Sequence, residues 1–501
     1  MTIQTSPLRS AEALSPKHTG VFVAGRWQAA STGATFDVLD PATGHVIAEV
    51  ADATPEDGAA ALDAAAAAQR DWGRTPTRER SEILRRAYDL LIARTDEFAV
   101  LITAEMGKSL TEARGEVVYG AEFLRWFSEE AVRIGGRYSH APDGRSRLLV
   151  TKRPVGPALF VTPWNFPLAM ATRKIAPALA AGCTSILKPA AQTPLTALAF
   201  AALLAEAGVP DGVVNVVPTT SAGAVTAPLL RDPRLRKLSF TGSTGVGKRL
   251  LAQAAEGVLR TSMELGGNAP FLVFEDADID AALDGAMIAK VRNIGQACTA
   301  ANRFLVHESV AEEFTAGLTA RFTALRLGPG AADGTDVGPL VDETARAGVH
   351  ALVRAAVADG ARVCTGGSIP DGPGHFYPPT VLADVPRGAA ILREEIFGPV
   401  APVVTFATEA EAIALANATE VGLAGYAYTR DAARMLRLSE EIEVGMLAIN
   451  QGLISNPAAP FGGLKESGLG REGGTEGVEE FLDTVYVGIV DPHTDPHLGA
   501  R

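Results

Sequence analysis

ALFVTPWNFPLAMATRKIAPALAAGCTSILKPAAQTPLTALAFAALLAEAGVPDGVVNVV, residues 158–217, decides the fold. Three short apolar runs, ALFVT (158–162), TSILK (184–188) and VVNVV (213–217), alternate here with longer stretches suited to helices. KLSFT (237–241) and RTSME (260–264) continue the series, with 18 to 24 residues between successive runs. That spacing is what strand–helix–strand crossovers need, so a parallel sheet is expected. Such sheets bind ligands beyond the carboxyl ends of their strands. The residues just after each run therefore matter most: Pro163, Trp164 and Asn165, then Lys188 and Pro189, then Gly242 and Ser243.

Further along, a second alternating series begins at FLVF (271–274). It continues through RFLVH (303–307), ARVC (361–364), PVVTF (402–406), GYAYT (425–429) and MLAIN (446–450), and predicts a second α/β unit. Toward the amino end, RLLVTKRPVG (147–156) reads as a strand, and the chain before about residue 135 reads as largely helical. Thr54 is placed to cap a helix that has Pro55 at its first position, with Asp57 returning the capping bond. Ile83, Leu84, Ala87, Leu90 and Leu91 fall on one face of a helix over roughly Arg78–Arg94. Residues 1–20 read as a loose tail, and the segment after Phe481 as one strand with a frayed end. There is no internal repeat and no low-complexity linker.

The 501 residues carry 45 Lys and Arg against 58 Asp and Glu, a net charge of −13. An acidic chain lacks the basic footprint of a nucleic-acid binder. No apolar run reaches the length of about 18 residues that a membrane helix requires. The first twenty residues contain no apolar core of a secretory leader. Three cysteines cannot form a disulfide framework, which fits a reducing cytoplasm.

Several residues suggest chemistry, each with a plainer reading beside it. Gly242–Lys248 reads G-x-x-x-x-G-K, but Arg249 follows where a nucleotide hydrolase needs a hydroxyl for magnesium. A strand–turn–helix that receives a dinucleotide phosphate, or an ordinary Gly-rich turn, are the other readings. Cys298 sits among small and polar neighbours in NIGQACT, an odd setting for a core residue and a fair one for a nucleophile. Cys183 and Cys364 each abut a predicted strand and read as buried. Glu264 ends a strand before two glycines, where a general base facing a cleft would stand, although a lone Glu is more often a surface group. Asn165 lies between Pro163 and Pro167, either as a preorganised amide donor to an oxyanion or as a rigid turn residue. Arg173 and Arg292 would clamp a substrate carboxylate if they share a cleft, and otherwise serve surface solvation. The histidines do not cluster; His493 and His497 fall in the tail, and no metal motif is present.

Together these segments resemble the aldehyde dehydrogenase superfamily over roughly residues 20–490. The resemblance rests on PWNFP (163–167), LKPA (187–190), FTGST (240–244), MELGGN (263–268), GQAC (295–298), EEIFGP (394–399) and PFGGLKESGLGRE (460–472). One such string is weak, but seven in the family order are specific. Within the superfamily the chain is most similar to the succinate-semialdehyde branch, through KVRNIGQACTAANR (290–303) and NQGLISNPAAPFGG (450–463).

The resemblance implies an α/β fold of two Rossmann-like parallel-sheet domains with a small β oligomerisation element. It assigns residues 21–137 and 157–264 to dinucleotide binding, 265–450 to the catalytic domain, and 138–156 with 483–490 to oligomerisation. Residues 451–482 would return to the cofactor domain, and 491–501 would form a tail. It implies Cys298 as nucleophile, Glu264 as the base that activates the deacylating water, and Asn165 as a partner of the Cys298 N–H in the oxyanion hole. For the cofactor it implies Lys188 at the adenosine ribose, Gly242 and Ser243 at the pyrophosphate, and Glu395 at the nicotinamide ribose. Phe397, Thr162, Pro163, Trp164, Ala191 and Leu265 would lie nearby. Arg173, Arg292 and Ser455 would bind the distal carboxylate of the substrate.

The implied reaction oxidises an aldehyde to an acid through a cysteine thiohemiacetal and thioester. Succinate semialdehyde is the first choice of substrate; glutarate semialdehyde or a broader aliphatic aldehyde is the alternative. A non-catalytic dinucleotide binder would not need Cys298 and Glu264, and an acyl-CoA-forming relative would typically lack Glu264. Two departures from relatives stand out. Ala300 replaces the second cysteine that forms a regulatory disulfide in some of the branch. Ala191 replaces the acid that repels a 2′-phosphate in NAD-preferring relatives, which tilts the choice between NADP and NAD toward NADP. A homodimer or homotetramer is implied, with no nucleic-acid or membrane partner.

Overall fold

The computed structural model describes residues 18–493, so most of the two expected tails, His497 included, lies outside the described residues. The first of two large sheets has eight strands. Their order is Arg26–Gln28, Val21–Val23, Val214–Val216, Ser185–Lys188, Ala158–Val161, Lys237–Thr241, Arg260–Glu264 and Gly468–Leu469. The five runs read from the sequence are its five parallel strands. Four of them are buried along their whole length, which is why they read as unbroken apolar runs rather than alternating ones. Their register aligns Lys188 with Val161, Val161 with Phe240, and Thr241 with Glu264. The carboxyl ends of these strands therefore form one edge. The other three strands are antiparallel additions: Arg26–Gln28 pairs with Val21–Val23, which pairs with Val214–Val216, and on the opposite side Gly468 pairs with Glu264.

The second sheet has seven strands in the order Arg362–Thr365, Thr380–Ala383, Val400–Phe406, Ala301–His307, Ala269–Val273, Ala424–Tyr428 and Met446–Ile449. The second apolar series accounts for six of them. Thr380–Ala383 was not read as a strand: it is four residues long, and Pro378 and Pro379 before it look like loop. It pairs parallel to Val400–Phe406, and Arg362–Thr365 pairs antiparallel at its free side. Cys364 lies on that edge strand and is half-buried, with the Arg362 guanidinium 3.3 Å from its sulfur, so the expectation of a buried Cys364 is corrected. Cys183 is fully buried, as expected.

Helices cover both faces of the first sheet. Pro55–Arg74 begins at the expected capping box: Thr54 Oγ1 accepts from the Asp57 N–H at 3.4 Å, and Asp57 accepts from the Thr54 N–H at 2.9 Å. Thr77–Ala93 turns Ile83, Leu84, Ala87 and Leu91 into the core, and Thr95–Met106 and Leu110–Ala131 continue the helical layer. Two acids of that layer were invisible to the apolar pattern. Glu105 accepts from the N–H groups of Leu195 and Thr196 at 2.7 and 3.0 Å, and Glu116 from those of Leu168 and Ala169 at 2.9 and 3.2 Å. Each carboxyl group meets the start of a helix, where unpaired N–H groups and the helix dipole favour an acceptor. Burial nevertheless pushes the Glu105 carboxyl up to about 8.

A third sheet has three antiparallel strands, Leu482–Val490, Ser146–Pro154 and Arg137–His140. Its outer strands are largely exposed, with Tyr138 at 58% and Tyr486 at 61%. Among the described residues no helix is long and apolar enough to cross a membrane.

Candidate active site

Glu264 ends one strand of the first sheet, and five residues later Ala269 starts a strand of the second. The carboxyl edge of the first sheet thus faces the amino edge of the second, and Cys298 lies on the latter, three residues before the strand Ala301–His307. Two glycines make this seam possible. A Cβ on Gly267 would sit 2.4 Å from the Cys298 carbonyl oxygen, and one on Gly266 would sit 2.9 Å from Glu395 Oε2. Only a bare backbone allows that approach.

The seam encloses a cavity of about 230 Å³ lined by Cys298, Glu264, Asn165, Glu395 and Phe397, with Pro163, Trp164, Gly242, Ser243 and Leu265 also expected from the sequence. Met170, Thr241 and Gly266 complete the lining and were not anticipated. Thr162, Lys188 and Ala191 stand on the same sheet edge but outside this cavity. Trp164 and Phe397 meet edge to face at 5.4 Å.

Asn165 donates from Nδ2 to the Gln296 carbonyl at 3.0 Å, which ties the Pro163–Pro167 turn to the cysteine loop. That loop runs through Asn293, Ile294 and Gly295 with φ of 57°, 63° and 72°. Left-handed conformations at residues bearing side chains are strained, and they cluster at functional sites.

Both carboxylate oxygens of Glu264 are buried without a hydrogen-bond partner, as are Thr241 Oγ1 and Asn165 Oδ1. Burial pushes Glu264 well above the usual carboxylate range, and neighbouring Glu472 pushes the same way against Arg173 and Lys174. Burial alone would raise Glu472 too, but Lys174 and Arg173 hold it below its ordinary value. Burial also pushes the Cys298 thiol up to about 12, with Arg173 opposing. The thiol is therefore protonated at neutral pH, and Glu264, once ionised, is a base in the same cavity.

The Gly-rich turn leads into the helix Thr244–Glu256, whose first N–H groups have no side-chain cap. A Cβ on Gly242 would meet the Phe240 ring at 2.5 Å, so the turn is bare as well as close. Uncapped N–H groups, the buried Lys188 amine two strands further along, and Glu395 fit the phosphates and riboses of a dinucleotide. Burial lowers the Lys188 amine to about 8, with Asp52 opposing.

A second cavity, about 270 Å³, is lined by Arg292, Ser455, Lys108, Glu112, Tyr119 and Phe166, among others. The Arg292 guanidinium lies over the rings of Phe166 and Tyr119 at 4.9 and 5.6 Å, and among the described residues it has no ion-pair partner. Phe166, Ala169, Met170, Ala297 and Ala300 form an apolar cluster that borders both cavities. Arg173 does not share the Arg292 cavity. It lies over the Phe461 ring at 3.8 Å with Nη2 3.0 Å from Glu472, so the expected pair of arginines is divided between two places. The physical reason is the wholly buried helix Ala169–Ala181: a charge there must be matched locally, and Glu472 matches both Arg173 and Lys174.

Residues 27–487 match the profile of the aldehyde dehydrogenase family. The chain is 63% identical over 448 residues to a succinate-semialdehyde dehydrogenase of Paenarthrobacter nicotinovorans, covering 89% of this chain and 100% of that one. It is 50% identical over 472 residues to a glutarate-semialdehyde dehydrogenase of Pseudomonas aeruginosa, covering 93% and 96%. A crystal structure of an NADP-dependent enzyme of Escherichia coli superposes with a TM-score of 0.94 at 46% identity, covering 97% and 100%.

The seam makes a direct prediction. Gly267→Ala should destabilise the protein by about 1–3 kcal/mol, as overpacking does, and change the rate of Cys298 alkylation by iodoacetamide. Gly348→Ala, where a Cβ meets nothing within 4 Å on a helix, should be neutral or slightly stabilising in the same denaturant titration.

Proposed function

The chain belongs to the aldehyde dehydrogenase family, and from that premise we propose that it oxidises succinate semialdehyde to succinate with NADP as the preferred acceptor and NAD as the alternative. The observation that carries this reading is the placement of a cysteine, an unpartnered buried carboxylate and an amide in one cavity, with a cation free for ligand in the next.

Cys298 gives up its proton to water and adds as the thiolate to the aldehyde carbon. The Asn165 amide and the Cys298 N–H hold the resulting oxyanion; a preorganised donor of this kind contributes about 3–4 kcal/mol. When bound, the nicotinamide ring supplies the hydride acceptor. Lys188, Gly242, Ser243 and Glu395 hold the dinucleotide, with Thr162, Pro163, Trp164, Ala191, Leu265 and Phe397 around it. Ala191 places no acid against a 2′-phosphate, which supports NADP. Glu264 then takes a proton from the water that hydrolyses the thioester.

Arg292 and Ser455 take the distal carboxylate, and the apolar cluster beside Phe166 suits the short methylene chain between the two ends. Arg173, in its ion pair with Glu472, supports the site from behind. Glutarate semialdehyde, one methylene longer, is the second substrate; one methylene discriminates by about 1–3 kcal/mol. The exposed three-stranded sheet supports assembly into a homodimer or homotetramer, and the three unpaired cysteines support a cytoplasmic setting.

Four measurements test these points. Glu264→Gln should reduce one equivalent of cofactor per site and then stall at the thioester; sustained turnover would remove Glu264 from its role. In the parent enzyme deacylation should quicken as pH rises above the usual carboxylate range, because Glu264 is a base only above its raised pKa, and the Gln variant should lose that dependence. Arg292→Ala should cost about 2–5 kcal/mol in kcat/KM for succinate semialdehyde but little for a neutral aldehyde of equal length; equal losses would refute the carboxylate contact. Light scattering after size exclusion should give the mass of two or four chains.

A further inference from the structure

Lys108 and Glu116 form a buried ion pair at 2.5 Å, with both side chains 1% exposed. The pair grips the Pro163–Pro167 turn at several points. Lys108 Nζ donates to the Asn165 carbonyl at 2.9 Å and lies over the Phe166 ring at 4.1 Å. The other oxygen of Glu116 accepts from the N–H groups of Leu168 and Ala169. The Asn165 carbonyl takes a second bond, from Asn293 Nδ2 at 3.0 Å, and Asn293 Nδ2 also donates to the Gln296 carbonyl at 2.8 Å. That carbonyl is the one to which the Asn165 amide donates.

A buried ion pair seldom stabilises a fold more than well-packed apolar residues of the same volume would. This one is also placed away from the thiol: Lys108 and Glu116 line the Arg292 cavity rather than the Cys298 cavity. Lys108 and Asn293 nevertheless converge on the carbonyl of Asn165, whose side chain lines the Cys298 cavity.

We propose that Lys108, held by Glu116, is a positioning residue that fixes the Asn165 amide for the oxyanion. The inference rests on the reading of Asn165 as an oxyanion donor. Lys108 borders the Arg292 cavity but lies apart from the reacting atoms, and in this role it acts through the Asn165 carbonyl. Its whole effect passes through the Asn165 backbone, and losing it lets the amide drift by a fraction of an ångström.

The test is a double-mutant cycle between Lys108→Met/Glu116→Gln, which removes both charges together, and Asn165→Ala. The readouts are kcat/KM for succinate semialdehyde and hydrolysis of 4-nitrophenyl acetate, an ester that needs an oxyanion site but neither hydride transfer nor a distal carboxylate. Asn165→Ala should lose about 100-fold or more in both. The paired variant should lose roughly 10- to 100-fold in both, bind dinucleotide with unchanged Kd, and add no further loss in the Asn165→Ala background.

Wild-type rates for the paired variant, or losses that multiply in the double background, overturn the proposal. Wild-type rates for Asn165→Ala instead overturn the oxyanion reading beneath it. If the paired variant does not fold, Lys108→Gln takes its place in the same cycle. It should lose a smaller factor that again vanishes in the Asn165→Ala background, and an undiminished rate or a persistent loss there overturns the proposal.

Discussion

Gly267 lies so close to the carbonyl of Cys298 that no side chain fits between them, and the arrangement of the site follows from that contact. It brings the carboxyl edge of one parallel sheet against the amino edge of another. Glu264 arrives from the first edge and Cys298 from the second, so the proposed base and nucleophile belong to different cores. Neither sheet alone could close the cavity around them. The strand Gly468–Leu469 pairs with the last two residues of Arg260–Glu264 and fastens the chain that leaves the second sheet back onto the first. Ser467 adds side-chain and backbone bonds to the turn itself, at Gly266 and Leu265.

Closing the cavity removes water from groups that would otherwise be charged. The protein answers this in two ways. Away from the reacting atoms, charges are matched: Lys108 by Glu116, and Arg173 and Lys174 by Glu472. Within the cavity, Glu264 is left unmatched, and its affinity for a proton rises accordingly. A carboxyl group of ordinary acidity would be a feeble base toward water, so the absence of a partner suits the role proposed for Glu264.

Much of the fold was legible because parallel strands buried on both faces advertise themselves. ALFVT, TSILK and KLSFT each became strands of the first sheet, and the residues just after them came to line or border the cleft. Cys298 and Glu264 were legible from local oddity: a cysteine among polar neighbours, and an acid before two glycines. What could not be read was relative placement. Nothing in the order of residues says that the second sheet presents its amino edge to the first, which is why a nucleophile located before a strand escaped the rule about strand ends. The pairing of Arg173 with Glu472, almost three hundred positions away, was equally hidden. Lys108 and Glu116 had a weak signal that went unread: Glu116 shares the inward face of its helix with Ala113, Val117 and Gly120, an unusual place for an acid.

Asn293, Ile294 and Gly295 wind the wrong way in succession, directly ahead of the nucleophile. A β-branched residue in that conformation is rare, and a Cβ on Gly295 would strike the Gly398 carbonyl at 2.2 Å. Sequence diversity is therefore tightly capped at these three positions. A saturation library there would return few functional clones beyond glycine, asparagine and the native Ile294. On the proposed reading, retuning of substrate range falls instead to the walls of the Arg292 cavity, where Tyr119, Leu453 and Ser455 can vary without unwinding the turn that carries the sulfur.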